Sequence, residues 1–251
     1  MLRRLLGATR RARPLYGSVP PGGRVYAIGD VHGRLDLLDE LLTRIDAEAG
    51  DAARELIFLG DLVDRGPDSA GVVERVRRLA EGPVPVRTLA GNHEEILLGA
   101  LDGDPEMLRL FCRFGGRETA LSYGLTPAEY DAMDFEELGE RLAEVVPAAH
   151  RAFLDGLDDQ LVRGDYAFVH AGVRPGVPLA EQLPADLRWI RNSFLRHDEP
   201  FEKTVVHGHT ITEDAEFRPN RIGIDTGAFQ SGRLTALGLE DDRYWVVQTG
   251  G

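Results

Sequence analysis

The pattern that most constrains this chain occurs three times in its first half. A short apolar run stops at glycine, an acid or amide follows at once, and a helix-forming stretch comes next. Residues 24–30 read RVYAIGD, residues 55–61 read ELIFLGD, and the third run, VRTLA at 86–90, leads into GNHE. After the first, Leu35, Leu38, Leu42 and Ile45 recur at spacings of three and four; after the second, Val72, Val73, Val76 and Leu79 share one helical face. Strand, loop and helix in this order imply parallel neighbours, because parallel strands need a long crossover to return to the same end. The expected fold class is therefore α/β. Its loops leave the carboxyl edge of a sheet, where ligands bind in such folds.

Residues 102–160 break the pattern. Thr126-Pro127-Ala128-Glu129 has the form of a capping box with proline in the first helical position, and Asp134 and Glu137 suggest another start. This segment reads as a helical insertion. Strands resume at 165–171 (DYAFVHA), 203–207 (KTVVH), 221–225 (RIGID), 233–239 (RLTALGL) and 243–248 (RYWVVQ). The last three lie close together with turn residues between them, which predicts antiparallel pairing. The expected organisation is a basic, flexible arm over 1–22 and one catalytic domain over 23–251.

Charge and cysteine content narrow the function. The chain has 42 acidic and 29 basic residues, a net −13, although Arg3, Arg4, Arg10, Arg11, Arg13 and Arg24 crowd its start. So acidic a body repels a polyphosphate backbone, and no nucleic-acid partner is expected. A small phosphate ester is compatible, because metals and arginines set the local field. Cys112 is the only cysteine, so an intrachain disulfide is excluded; it lies in MLRLFCRF and reads as core. No apolar run approaches the ~18 residues of a membrane span. The basic start lacks the apolar stretch of a secretory signal, and reads as a flexible arm ahead of an anchor to anionic surfaces. A cytoplasmic location is the expectation, and oligomeric state is left open.

Polar residues collect where the strands end: Asp30 and His32, Asp61, Asn92 and His93, His170, and His209. Asp30 and His32 are two apart, so an extended backbone points both to one side, which suits two ligands on one metal. Asp61 is the candidate to bridge two cations, with Asn92 supplying a neutral oxygen and His170 and His209 imidazole nitrogens. Oxygen and nitrogen donors without thiolate point to two divalent ions, manganese first, with iron or zinc as alternatives. Such a pair can clamp an in-line displacement at phosphorus. Other histidines read differently: His207 as a packed strand residue, His150 and His197 as solvated or capping. Asp225 reads as a strand-end turn residue.

The blocks GDVHG (29–33), GDLVDRG (60–66), GNHE (91–94), VHAG (169–172) and HGHT (207–210) together resemble the calcineurin-like metallophosphoesterases. GDLVDRG followed by GNHE is similar to the phosphoprotein phosphatase branch, in its bacterial serine/threonine protein phosphatase form. FGGRETALSYG (114–124), LRWIRNSFL (187–195) and IDTGAFQSGRLTALGLE (224–240) extend the likeness. The resemblance implies an α/β/β/α sandwich. It implies that Asp30, His32 and Asp61 hold one metal, and Asp61, Asn92, His170 and His209 the other. Where the wider superfamily carries a final histidine, this chain has Ile211. By the same resemblance His93 is the general acid, Asp64 orients it, and Arg65 binds phosphoryl oxygens, with Asn92 also in reach of the phosphate. Arg191 is the candidate second phosphate arginine, a surface ion pair being its alternative reading.

The expected reaction is direct attack on a phosphomonoester by a hydroxide bridging two metals, without a phosphoenzyme. Phosphoserine or phosphothreonine in proteins is the first substrate reading; a dinucleoside polyphosphate or other small nucleotide is the alternative. The catalytic blocks read only the phosphoryl group, so they do not separate the two. Phe111, Phe114 and Tyr123 are available as a base platform, and core packing explains them equally well. A catalytically dead binding module would lack metal ligands or the acid, and none is missing.

Overall fold

Strand β1 (Arg24–Ile28) is apolar on both faces because both faces are covered. Tyr26 and Ile28 point into a core shared with helices, while Val25 and Ala27 point into a core shared with a second sheet. The computed structural model describes residues 16–250. After β1 come α1 (Leu35–Ala49), β2 (Arg54–Phe58), α2 (Ser69–Ala80) and β3 (Val86–Thr88). A run of helices follows: α3 (Asn92–Leu101), α4 (Pro105–Phe114), α5 (Gly116–Ser122), α6 (Pro127–Ala132), α7 (Phe135–Val145) and α8 (Ala148–Asp155). The remainder comprises β4 (Gln160–Arg163), β5 (Tyr166–Val169), α9 (Pro184–Trp189), α10 (Asn192–Leu195), β6 (Thr204–His207), β7 (Glu216–Phe217), β8 (Arg221–Gly223), α11 (Ala228–Ser231), β9 (Thr235–Glu240) and β10 (Arg243–Gln248).

These strands form two five-stranded sheets, ordered β10-β9-β1-β2-β3 and β4-β5-β6-β8-β7. The sheets meet through Ile57, Leu59, Phe168, Val206, Ile222 and Leu237. Helices α1–α5, α7 and α8 share one core with the outer face of the first sheet, and α9 and α10 cover the second through Leu187 and Phe194. The molecule is an α/β/β/α sandwich. Parallel pairing of β1 with β2 and β2 with β3 is as the triple pattern predicts.

The last three strands differ from the sequence expectation. β9 and β10 pair antiparallel, but β8 belongs to the other sheet, where it lies parallel to β6 and antiparallel to β7. The turn residues after β8 build α11 and carry the chain across the sandwich, so nearness in sequence does not become pairing. The capping boxes at Thr126/Glu129 and Asp134/Glu137 start α6 and α7 as expected. The helical run ends at Asp155, and β4 is a strand that the sequence reading left unassigned.

Residues 1–15 of the basic arm lie outside the described residues. Residues 16–22 of the same stretch are seated on the sandwich, because Tyr16 and Val19 have an apolar place to go. They are 8% and 3% exposed in the inter-sheet core, Tyr16 meets Tyr244 edge to face at 5.5 Å, and the Val19 amide donates to Asp241 O. Tyr16→Ala is expected to destabilise the fold by about 2–4 kcal/mol. Urea denaturation checks this; an unchanged midpoint would detach the segment from the core.

Candidate active site

Register brings the polar residues to one rim. Ile28 lies opposite Phe58 and Phe58 opposite Thr88, so the loops bearing Asp30, Asp61 and Asn92 leave the first sheet at one level. In the second sheet Phe168 lies opposite Val206 and His207 opposite Gly223, which aligns the exits of His170, His209 and Asp225. Asp30, His32, Asp61, Asp64, Asn92, His93, His170 and His209 are all buried.

The loops are held in costly backbone. Among the described residues, left-handed φ angles outside glycine occur at His32 (46°), Asp61 (50°), Asp64 (71°), Arg65 (69°), His209 (62°) and, in the β9–β10 turn, Asp241. Each costs of order 1 kcal/mol or more, so neighbouring bonds must over-determine them. Glu94 supplies part of this. Its carboxylate accepts from the amides of Asp61 (2.8 Å), Leu62 (2.7 Å) and Gly91 (2.8 Å), tying the second loop to the third. Burial, then the nearby Asp61, pushes the Glu94 carboxyl up to about 7. Glycine is required where carboxylates pass closest: a Cβ at Gly91 would overlap Asp61, and one at Gly208 would overlap Asp30.

Asp61 divides two groups of donors. Its Oδ2 lies 3.5 Å from His32 Nε2, and its Oδ1 lies 3.4 Å from His170 Nε2. His170 Nε2 is also 3.1 Å from Asn92 Oδ1 and 3.1 Å from His209 Nδ1. His32 Nδ1 faces Val63 O at 2.7 Å and His170 Nδ1 faces Leu59 O at 2.8 Å. A carbonyl only accepts, so both Nδ1 atoms carry hydrogen and both Nε2 atoms are acceptors on the Asp61 side, that of His32 also being met by Arg65 Nη1. Burial lowers the pKa of His32 to about 3 and of His209 to about 2, and also lowers that of His170, so all three present neutral rings. Acceptors facing acceptors in a buried volume are unfavourable unless positive charge lies between them. The residues present thus fit a pair of cations with oxygen and nitrogen ligands, the two groups close enough to hold them being His32, Asp61 and His93, and Asp61, His170 and His209.

Asp30 lies buried beside the His209 backbone, in the field of Asp61 and Asp225. Both its oxygens accept from the His209 amide at 3.1 Å, and burial followed by Asp225 and Asp61 raises its pKa well above the carboxylate range. Asp225 is a finding here. It does form a strand-end turn, accepting from the Gly227 amide at 2.9 Å, but it is also 2% exposed, and burial pushes it up to about 6. The only prior sign of it was its place in the IDTG stretch.

Beside Asp61, His93 Nδ1 donates to Asp64 Oδ2 at 2.6 Å. Burial opposes the charged ring, yet Asp61 and Asp64 outweigh it and raise the His93 pKa. Arg65 spans the first group, with Nη1 donating to His32 Nε2 at 3.0 Å and Nη2 to His93 Nε2 at 2.9 Å. The helical run holds this pair of residues in place: Gly115 O accepts from the Arg65 amide, and the fully buried Thr119 donates to Asp64 Oδ1 at 2.7 Å while accepting from the Asp64 amide. Thr119 was quoted within 114–124 without a role, since nothing local marks a threonine that reaches across 55 residues.

Arg191 sits at the N-cap of α10, exposed, 3.5 Å from Thr210 Oγ1 and without an ion pair among the described residues. After burial, which dominates, its charge also acts on His170, His209 and Asp225. His207 packs against Phe194 as a strand histidine. His150 departs from its solvated reading: it is 7% exposed, bonded to the Tyr123 hydroxyl and to Glu74, because α8 packs onto α2. Ile211 is 39% exposed.

The family model for calcineurin-like phosphoesterases matches residues 23–226. The asymmetrical bis(5'-nucleosyl)-tetraphosphatase PrpE of Bacillus mycoides (strain KBAB4) is 27% identical over 238 residues, covering 84% of this chain and 88% of that protein. The symmetrical bis(5'-nucleosyl)-tetraphosphatase of Janthinobacterium sp. (strain Marseille) is 28% identical over 289 residues, covering 86% and 93%. A crystal structure described as "a putative diadenosine tetraphosphatase" has the same fold, with a TM-score of 0.64, 23% identity, and coverage of 94% of this chain and 100% of that one.

Thr119→Val keeps the side-chain shape and removes its hydroxyl. It is expected to cost about 1–3 kcal/mol of stability and to lower kcat on an aryl phosphate several-fold with little change in KM. A variant with normal kcat would separate Thr119 from the Asp64–His93 pair.

Proposed function

This chain belongs to the calcineurin-like phosphoesterase family, and from that premise we propose that it is a two-metal hydrolase of dinucleoside polyphosphates. It is a metal-dependent phosphoesterase; the substrate and the residue roles are our reading. The observation that carries the chemistry is the division of Asp61 between two sets of lone pairs. The substrate reading is supported by two tetraphosphatase relatives matched over 88% and 93% of their own lengths. They reverse the order in which the sequence ranked phosphoproteins ahead of nucleotides.

In this reading Asp30, His32 and Asp61 hold one ion and Asp61, Asn92, His170 and His209 the other. Manganese suits the donor set, with iron or zinc in the same class. Bound ions of this kind supply Lewis acidity at the phosphoryl oxygens and acidify water. The chain's own residues do the rest. Arg65 exchanges its imidazole partners for phosphoryl oxygens, which its planar fork fits in bidentate fashion. Arg191 approaches the same phosphoryl group from the second sheet, and Asn92 lies within reach of it. Once Arg65 has turned to the phosphate, His93, held by Asp64 and with its pKa raised, takes a proton on Nε2 and passes it to the leaving oxygen.

Metal-stripped protein is expected to regain turnover with manganese, and to favour diadenosine tetraphosphate over a phosphothreonine peptide in kcat/KM. Preference for the peptide would return the reading to a protein phosphatase. His93→Asn is expected to lower kcat about 10²-fold or more on phenyl phosphate, and less on p-nitrophenyl phosphate, whose leaving group needs less protonation. Its metal content should stay normal, whereas Asp61→Asn should lose metal from both positions; elemental analysis distinguishes the two.

A further inference from the structure

We infer that the groove beside Arg65, between the start of α1, the loop before α2 and helix α11, receives a nucleoside of the substrate, with Phe229 as the platform for its base. This deepens the dinucleoside polyphosphate reading and rests on it.

The groove opens from the phosphoryl-binding side of the site. The Phe229 ring stands edge to face with His32 at 5.5 Å, and the Arg65 Cζ lies 4.9 Å from the Phe229 centroid. A group stacked on this ring is therefore next to whatever Arg65 holds. The groove has a volume of about 670 Å³, within the range of small-molecule sites, and Phe229 is its one aromatic lining residue.

Its charges select against a chain of phosphates. Arg34 is committed to both oxygens of Asp36, at 2.8 and 2.7 Å, and to Ala228 O. Of the two cations lining the groove, that leaves Arg65, at the inner end, as the one not bound to a carboxylate. Outward from it stand Asp36, paired with Arg34, and Asp39, paired with Arg75 at 2.8 Å, so no unpaired cation lines the outer groove. One phosphoryl group is welcome at the inner end, and beyond it no unpaired cation is placed to hold further phosphates. A neutral, flat body rich in N–H and O–H donors is favoured, since carboxylates accept from ribose hydroxyls and base amines. A nucleoside joined to a single phosphoryl has this shape and polarity.

The alternative platforms are otherwise engaged. Phe111 is fully buried, the Tyr123 hydroxyl is bonded to His150, and Phe114, 6.3 Å from His93, is packed between the helical core and the Arg113 guanidinium. Phe229 is half-buried, on a short helix braced by the Arg34 bond to Ala228 O and by the Asp225 bond to the Gly227 amide. Bracing of this kind fixes the ring before the base arrives, so little ordering entropy is lost on binding.

The test compares adenosine 5'-monophosphate with ribose 5-phosphate, which lacks the base. Both compete against p-nitrophenyl phosphate on manganese-loaded protein, and calorimetry measures the binding of each. The variants are Phe229→Leu, which keeps apolar volume against His32 and Arg65, and Phe229→Tyr, which keeps the ring. The monophosphate is expected to bind about tenfold tighter than the base-less control in wild type and Phe229→Tyr, and equally in Phe229→Leu. Equal binding of the two in wild type overturns the subsite. So does a Phe229→Leu variant that weakens both alike, which would mark a packing role, or one that impairs only an arginine-flanked phosphothreonine peptide. If the base preference is present and lost in Phe229→Leu while diadenosine tetraphosphate is not hydrolysed, the subsite stands and the substrate reading falls. If the tetraphosphate is hydrolysed with the same KM by wild type and Phe229→Leu, the subsite falls and the substrate reading stands.

Discussion

A buried carboxylate with an acceptor facing each of its oxygens sets the terms for the rest of the structure. Asp61 lies at the end of β2, its backbone left-handed, with a lone pair of His32 on one side and of His170 on the other. Left to themselves these groups would move apart or take up protons, because crowding acceptors away from water is among the costlier arrangements a fold can hold. They are kept together by bonds that point away from the site. Val63 O and Leu59 O fix the two rings, the His93 amide donates to Asp61 Oδ1, and the Glu94 carboxylate binds the Asp61 amide. Groups arranged in advance in this way cost no reorganisation when charge develops between them.

That preorganisation depends on layers that never touch the reacting atoms. Each sheet contributes half of the rim, so neither half is a site without the other, and the inter-sheet core of Ile57, Leu59, Phe168 and Val206 sets their relative height. The helical run does a comparable task from the other side. Thr119 and Gly115 hold the loop of Asp64 and Arg65, and Phe111, Leu138 and Leu142 are continuous with the core beneath β1 and β2. The run is thus a structural support of the site as well as a wall beside it.

The overall charge of −13 and the chemistry of a phosphate substrate are reconciled by placement. Most arginines on the described surface are paired with nearby acids, as Arg163 is with Glu55 and Arg174 with Asp186. Arg65 faces imidazoles, and Arg191 meets only a hydroxyl, so their charge is available locally. An anion approaching this surface therefore meets repulsion except along the path to the rim, which favours a small phosphate ester over a nucleic-acid backbone.

The sequence by itself determined the parallel half of the first sheet, the strand-end placement of Asp30, His32, Asp61, Asn92, His170 and His209, and the starts of α6 and α7. These are local properties: a helical or strand period, a glycine before an acid, and a capping box are each written within a few residues. Tertiary structure alone decided the rest. The crossing of β8 to the second sheet depends on which face of the sandwich has an open edge. The burial of His150, the reach of Thr119 to Asp64, and the drawing of Asp225 into the acidic cluster all join residues far apart in the chain. Whether Tyr16 is arm or core depends on the place left for it beside Tyr244. A side chain's neighbours across the fold are set by packing and register, and no spacing along the chain records them.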